Sequence, residues 1–179
     1  MSVLEIVKHP DPLLREKSET IEQFDEELKT FVQNMAETMR DAKGIGLAAV
    51  QVGELKRVLV LEVNHIGQEG EDDEELEPEL EVYVNPEILE ESGDTEYEEG
   101  CLSIPGVTGK VARSAELKLR FQDLEGKIHE IEADGLRAIA LQHEIDHLNG
   151  VLFLDHLGAM TRTMLLSKYN KLQQQQRNA

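Results

Sequence analysis

Apolar positions recur along this chain with two periods, and the switches between them outline its elements. Over residues 25–42, Leu28, Phe31, Val32, Met35 and Met39 fall on one face of a predicted helix. Asp25 is its cap residue and Lys43-Gly44 ends it. Residues 57–63 read as a buried strand, and 82–89 as a strand interrupted at Asn85-Pro86. Residues 117–121 and 127–132 predict a hairpin turning at Asp123-Leu124-Glu125-Gly126. A second helix runs from the cap residue Asp134 to the stop signal Asn149-Gly150, and a last one covers residues 161–176. Shorter pieces complete the outline: an edge strand at 3–7, a turn at His9-Pro10-Asp11-Pro12, and an extended piece at 151–154.

The second helix differs from the other two. Leu136, Ile139, Ala140, His143 and His147 share one face, while Leu141, Ile145 and Leu148 add apolar residues elsewhere. Only Gln142 and Asp146 leave a polar strip, so the helix is expected to be central and mostly buried. It carries the pattern His143-Glu144-Ile145-Asp146-His147. Histidines four residues apart lie on the same side of a helix, one turn apart, and can hold one divalent metal. Glu144 lies about 100° further round the axis, close enough to reach a metal-held water without being a ligand. Two imidazoles and a carboxylate on a buried helix are costly without partners, and a metal removes that cost. Five-residue patterns of this kind also arise by chance. A third protein ligand has to come from elsewhere in the chain.

Composition narrows the class. With 179 residues, 40% of them hydrophobic, the chain reads as one soluble globular domain with no repeats. No apolar run reaches the length of a membrane span, and residues 1–7 do not read as a signal peptide. A single cysteine excludes an intramolecular disulfide and fits a reducing cytoplasm. The formal net charge of −19 is unevenly placed. Residues 58–109 contain no Lys or Arg; within them 69–81 is almost wholly acidic, and 67–80 reads as a mobile loop. Residues 158–179 reverse the pattern, with Arg162, Lys168, Lys171 and Arg177 and no acid. An acidic body argues against broad nucleic-acid binding and is accounted for by solubility or salt adaptation. The basic tail suits a local docking element or a packed helix with solvated charges.

Two further stretches carry candidate chemistry. Gly44-Ile45-Gly46-Leu47-Ala48-Ala49-Val50-Gln51 allows close backbone approach but lacks the ending of a phosphate loop. On its own it reads as a Gly-rich turn before a strand, with Gln51 on the surface. Cys101, between a glycine and a proline turn, reads on its own as a small buried apolar residue.

Three segments taken together resemble one family. Residues 44–51, Glu99-Gly100-Cys101-Leu102-Ser103, and Gln142-His143-Glu144-Ile145-Asp146-His147 are similar, in this order, to the three signature motifs of peptide deformylase. The resemblance covers nearly the whole chain and points to the bacterial type with a long C-terminal helix. It implies an α+β fold: antiparallel strands packed around a central metal-binding helix, with N-terminal and C-terminal helices. Residues 1–179 would form one catalytic domain, with 158–179 as its C-terminal helix. The implied metal ligands are Cys101, His143 and His147, with water in the fourth position. The implied cofactor is one divalent ion per chain, Fe²⁺ in bacterial relatives, with Zn²⁺, Ni²⁺ or Co²⁺ able to occupy the same ligands. An Fe²⁺–thiolate centre open to water is expected to be oxygen-sensitive.

The implied reaction removes the formyl group from N-formyl-methionine on new polypeptides, releasing formate. Metal-bound hydroxide attacks the formyl carbon, with Glu144 as general acid and base. The oxyanion is held by the metal, the Gln51 amide and the Leu102 N–H. Ile45, Gly46 and Gly100 flank the substrate backbone, and Ile139 with His143 lines the methionine pocket. Glu99 and Arg113 form an ion pair behind Cys101. The implied partners are formylated nascent peptides and, through the C-terminal helix, the ribosome, with no membrane and no DNA. One departure stands out: residues 106–109 carry no basic side chain where many bacterial relatives have one. Two other readings remain open at this point. A zincin-like peptidase would take a downstream ligand such as His156, and a structural or ribosome-docking metal protein would close its site with four ligands.

Overall fold

The computed structural model describes residues 2–66 and 77–179. Most of the acidic stretch 69–81, and with it most of the loop expected at 67–80, lies outside the described residues.

Helix α1 (Glu26–Asp41) starts at Asp25, whose carboxylate accepts the Leu28 N–H. Its apolar face, including Leu28, Val32, Met35 and Met39, is buried as its spacing predicted. Five antiparallel strands form one sheet in the order β1 (Gly46–Ala48), β2 (Val58–Leu61), β3 (Glu81–Ser92), β6 (Glu116–Gln122), β7 (Ile128–Asp134). All four residues of β2 are buried. Val58 and Val60 join the core under α1, whereas Leu59 and Leu61 join the core under the second helix. A strand covered on both faces needs no polar alternation, which explains its continuous Val-Leu-Val-Leu. β3 runs through Asn85-Pro86, which bulges instead of ending it. The pairing register with β6 shifts there, Asn85 adopts φ 49°, and its side chain bonds Ile21 and Gln122. The predicted β6–β7 hairpin is in place, with Leu119 opposite Ile131.

β4 (Thr95–Cys101) and β5 (Ile104–Arg113) form a separate antiparallel pair that the apolar pattern does not announce. Thr-Glu-Tyr-Glu-Glu-Gly-Cys has almost no apolar residue, and β5 alternates only loosely and contains two glycines and a proline. Alternation within β5 puts Arg113 in the same inward row as Val107 and Val111.

Helix α2 (Gly135–Leu148) lies against β1, β2 and β7. Its boundary at Asp134 is as predicted, but the Asp134 side chain makes no capping bond. Its far end follows the sequence closely. Gly150 N–H bonds the His147 carbonyl and Val151 N–H the Asp146 carbonyl, the paired closure that a left-handed residue after a helix provides. Gly150 sits at φ 75°, and a Cβ there would lie 2.3 Å from the Arg15 carbonyl oxygen, so only glycine fits.

Other expectations are corrected. Residues 3–7 are not a strand. Side chains hold them instead, Ser2 N–H on Asn34 and Leu4 N–H on Thr38, and Val7 N–H bonds the Gln51 carbonyl. Residues 151–154, read as a short strand or extended piece, form no strand: Leu152 is extended, and Phe153–His156 forms a 3-10 turn. Gln142 is buried rather than part of a solvated strip. It accepts the Ser114 N–H and donates to the Ser114 and Ala138 carbonyls. Helix α3 (Ala159–Arg177) packs on β5 through Leu165 and Tyr169, leaving Lys168, Lys171 and Arg177 exposed.

Candidate metal centre and cleft

Helix α2 presents His143, Glu144 and His147 toward the end of β4. There the chain turns sharply: Cys101 pairs with Ile104, and the register shifts between Gly100 and Cys101. This brings the Cys101 sulfur to 3.3 Å from His147 Nε2, which lies 3.2 Å from His143 Nε2. Among the described residues these three are the group whose donor atoms could hold one metal ion. Bonds of about 2.0–2.1 Å to nitrogen and 2.3 Å to sulfur at tetrahedral angles require edges of about 3.4–3.6 Å. The two edges that meet at His147 Nε2 therefore match a metal site to within a few tenths of an ångström, and all three donor atoms lie within 4.8 Å of one another.

The protonation of His143 follows from its partner. Glu99 Oε1 can only accept, so His143 Nδ1 donates to it at 2.8 Å, which turns Nε2 toward the triangle. Glu99 is gripped by Arg113 through two bonds, Nε to Oε2 at 2.8 Å and Nη2 to Oε1 at 2.7 Å. Burial would raise the Glu99 pKa, but the bonds from Arg113 and His143 outweigh it and hold it below its usual value. His147 lies wholly inside and is held well below its ordinary pKa by burial and then by His143 and Arg113. It is therefore a neutral imidazole, the form that ligates. Its Nδ1 and Glu144 Oε2 are buried polar atoms without a hydrogen-bond partner among the described residues. Burial pushes the Glu144 pKa up to about 7 in the metal-free chain.

A cleft of about 470 Å³ opens over this triangle. Glu144, Gln51, Leu102, Cys101, His143, Ile45, Gly46, Gly100 and Ile139 all line it, while His147 lies beneath its floor. The chain passes close to the carboxylate at Gly46, where a Cβ would stand 2.8 Å from Glu144 Oε1 and 2.8 Å from Leu61. No larger residue fits without moving the carboxylate.

Two readings of single residues are overturned here. Gln51 is 1% exposed, not on the surface. Its Oε1 accepts the Ala48 N–H, and its Nε2 donates to Ser103 Oγ at 3.1 Å and approaches the Cys101 sulfur at 3.5 Å. A short 3-10 turn, Ala49–Val52, tucks it inward, which residue type alone does not reveal. Cys101 is not simply a core residue, because its sulfur faces two imidazoles. His156, the ligand that a zincin-like site would use, is not in the triangle and bonds Asp146 at 2.8 Å. Sequence reasoning missed Ser103, which is fully buried and orients Gln51, and Asp146, which Arg113 reaches at 2.6 Å. The signals were present: a serine two residues after the cysteine, and a carboxylate beside a ligand histidine. Neither residue type implies a role without its neighbours.

Comparison with known proteins bears on these residues. The family model described as polypeptide deformylase matches residues 3–163. A peptide deformylase of Novosphingobium aromaticivorans is 46% identical over 190 residues, covering 96% of this chain and 98% of its own. The crystal structure of a peptide deformylase from Legionella pneumophila superposes with a TM-score of 0.88 at 39% identity, covering 99% of both chains. The Ehrlichia chaffeensis enzyme in complex with actinonin superposes at 0.85 with 39% identity, covering 96% of this chain and 98% of its own.

Proposed function

The chain belongs to the peptide deformylase family, and from that premise we propose that it removes the formyl group from N-formyl-methionine of new polypeptides, using Cys101, His143 and His147 to hold one divalent metal ion. The observation that carries this reading is the triangle of one sulfur and two nitrogens on a cleft floor, with the two edges at His147 Nε2 close to those that tetrahedral ligation requires. When bound, the ion supplies a Lewis acid that lowers the pKa of a water it holds. Fe²⁺ is the proposed ion, and Zn²⁺, Ni²⁺ and Co²⁺ suit the same ligands. We assign residues 1–179 to one catalytic domain, with 158–179 as its C-terminal helix.

The chain's own groups divide the remaining work. Glu144, with a free Oε2 at the cleft, takes the proton of the attacking water and passes it to the departing amide nitrogen. The water oxygen bonds the formyl carbon, the C–N bond breaks, and formate and a free amine result. Gln51 Nε2–H, held in place by Ser103 and the Ala48 N–H, donates to the oxygen that gains charge, together with the Leu102 N–H. Gly46 and Gly100 leave room for the substrate backbone beside Ile45, and Ile139 with His143 forms the apolar wall for methionine. The buried His143 and His147 and the Arg113–Glu99 clamp keep the ligand set fixed, and the open cleft leaves a fourth position that a closed structural site would fill.

The deciding experiment measures formate release from formyl-Met-Ala-Ser by protein purified without oxygen and loaded with Fe²⁺. Release that actinonin blocks is the expected result; no release from fully loaded protein overturns the proposal. Cys101→Ser should hold less metal, and full metal content in that variant would remove Cys101 from the ligand set. The proposal includes action in the cytoplasm, cotranslationally, at the ribosome. Exposed Lys168, Lys171 and Arg177 on α3 suit an anionic RNA surface. Reversing these three charges should abolish salt-sensitive co-sedimentation with ribosomes and leave tripeptide turnover intact; unchanged co-sedimentation would remove the docking role.

A further inference from the structure

His156 did not join the metal triangle, and its actual position is informative. Its Nε2 lies 2.8 Å from Asp146 Oδ2, the same oxygen that accepts Arg113 Nη1 at 2.6 Å. The carboxylate can only accept, so His156 Nε2 carries the proton. The 3.4 Å approach of Arg113 Nη1 to His156 Nε2 is then two donors converging on one acceptor. From Arg113 the contacts continue to Glu99, and from Glu99 to His143 Nδ1. Five side chains from β4, β5, α2 and the Phe153–His156 turn thus form one unbranched series. It runs from a partly exposed imidazole at the back of the molecule to a residue at the triangle.

We propose that Asp146 and His156 are positioning residues: they hold Arg113 in the rotamer that grips Glu99 with both arms, and so set the angle at which His143 faces the metal. This rests on the metal reading above. Arg113 must satisfy two carboxylates at once, and its side chain is 3% exposed, so a lost partner is replaced at best by water from the adjoining cavity at one arm. Without Asp146 the Nη1 arm has no acceptor in the series. Without His156 the carboxylate keeps only its inward contact with Arg113 and is freer to rotate. Groups that hold a ligand histidine from behind are worth about 10–100-fold in metal affinity. His156 acts one link further out than Asp146, so its share is the smaller. A cavity lined by Arg113, Asp146, Gln142 and His156 gives this end of the series access to solvent.

The test uses the full chain loaded with Co²⁺ without oxygen. Two quantities are followed: the visible ligand-field spectrum and the rate of Co²⁺ transfer to excess chelator. Asp146→Asn should speed transfer by about 10-fold or more and shift the bands. His156→Phe should act in the same direction by several-fold, and His156→Gln, which retains an N–H donor, should restore the wild-type rate. If both act through Arg113, the double variant Asp146→Asn/His156→Phe transfers no faster than Asp146→Asn alone. A wild-type spectrum and rate in His156→Phe, or effects that multiply in the double variant, would overturn the proposal. So would a change confined to the melting temperature of the metal-free protein. Should Asp146→Asn not fold, the two His156 variants decide alone. Wild-type protein that takes up no Co²⁺ would instead count against the metal reading itself.

Discussion

Glu144→Gln is expected to lower kcat for formyl-Met peptides by about 10²–10⁴, the usual contribution of a positioned acid–base group, while one metal ion per chain is retained. The side chain is not in the ligand triangle, and its Oε1 lies 4.0 Å from His143 Nε2, so no metal contact is lost. Glutamine nearly preserves the shape, which matters because Gly46 leaves the carboxylate little room. What is removed is the capacity to accept a proton at an oxygen with no other partner among the described residues. KM should change little, because the group is assigned to the proton and not to the peptide. Metal content by elemental analysis and formate release under identical loading check both halves. Near-normal turnover by a loaded Glu144→Gln protein would sink the acid–base assignment.

Arg113→Met should destabilise the fold by about 3–5 kcal/mol, the usual cost of removing one member of a buried ionic group. Methionine approximates the length of the aliphatic stem without its charge. It leaves Glu99, 4% exposed, without its two-armed partner, and Asp146 without its inward one. A carboxylate left inside with His143 Nδ1 as its remaining donor is costly, because one bond does not replace a two-armed cation and water does not reach it. Arg113→Lys should recover only part of the loss, since one ammonium cannot bond two oxygens of Glu99 and a third of Asp146 in the same plane. Denaturant unfolding of the three metal-free proteins measures this directly, and an unchanged midpoint for Arg113→Met would show that the group contributes nothing net. With Glu99 loosened, His143 should also lose its orientation, so weaker metal binding should accompany the instability.

Much of this molecule could be read from local patterns. The faces of α1 and α2, the β6–β7 hairpin and the end of α2 at Asn149-Gly150 depend on period, caps and turn residues, which act over a few positions. His143 and His147 belong together for the same reason, because four residues along a helix fix their separation. The third proposed ligand was available only by resemblance, since nothing local ties Cys101 to the histidine pair at 143 and 147. The rest was decided by the tertiary structure. β4 and β5 gain their stability as a pair covering α3 and the Phe153–His156 turn, so their mixed composition gives little period-2 signal. Gln51 is drawn inside because the buried Ser103 hydroxyl and the Ala48 N–H satisfy both ends of its amide, a balance that no single stretch contains. By local pattern Asp146 reads as part of a polar strip, and Arg113 is placed beside Glu99 only by resemblance. They are drawn inward because Glu99 is already fixed at His143, and a buried carboxylate held there needs a cation from a neighbouring strand. Period and chemistry along the chain determined which helix carries the metal pair. Only packing between distant segments decided which charges and amides would stand around it, because their burial is tolerable only when all their partners arrive together.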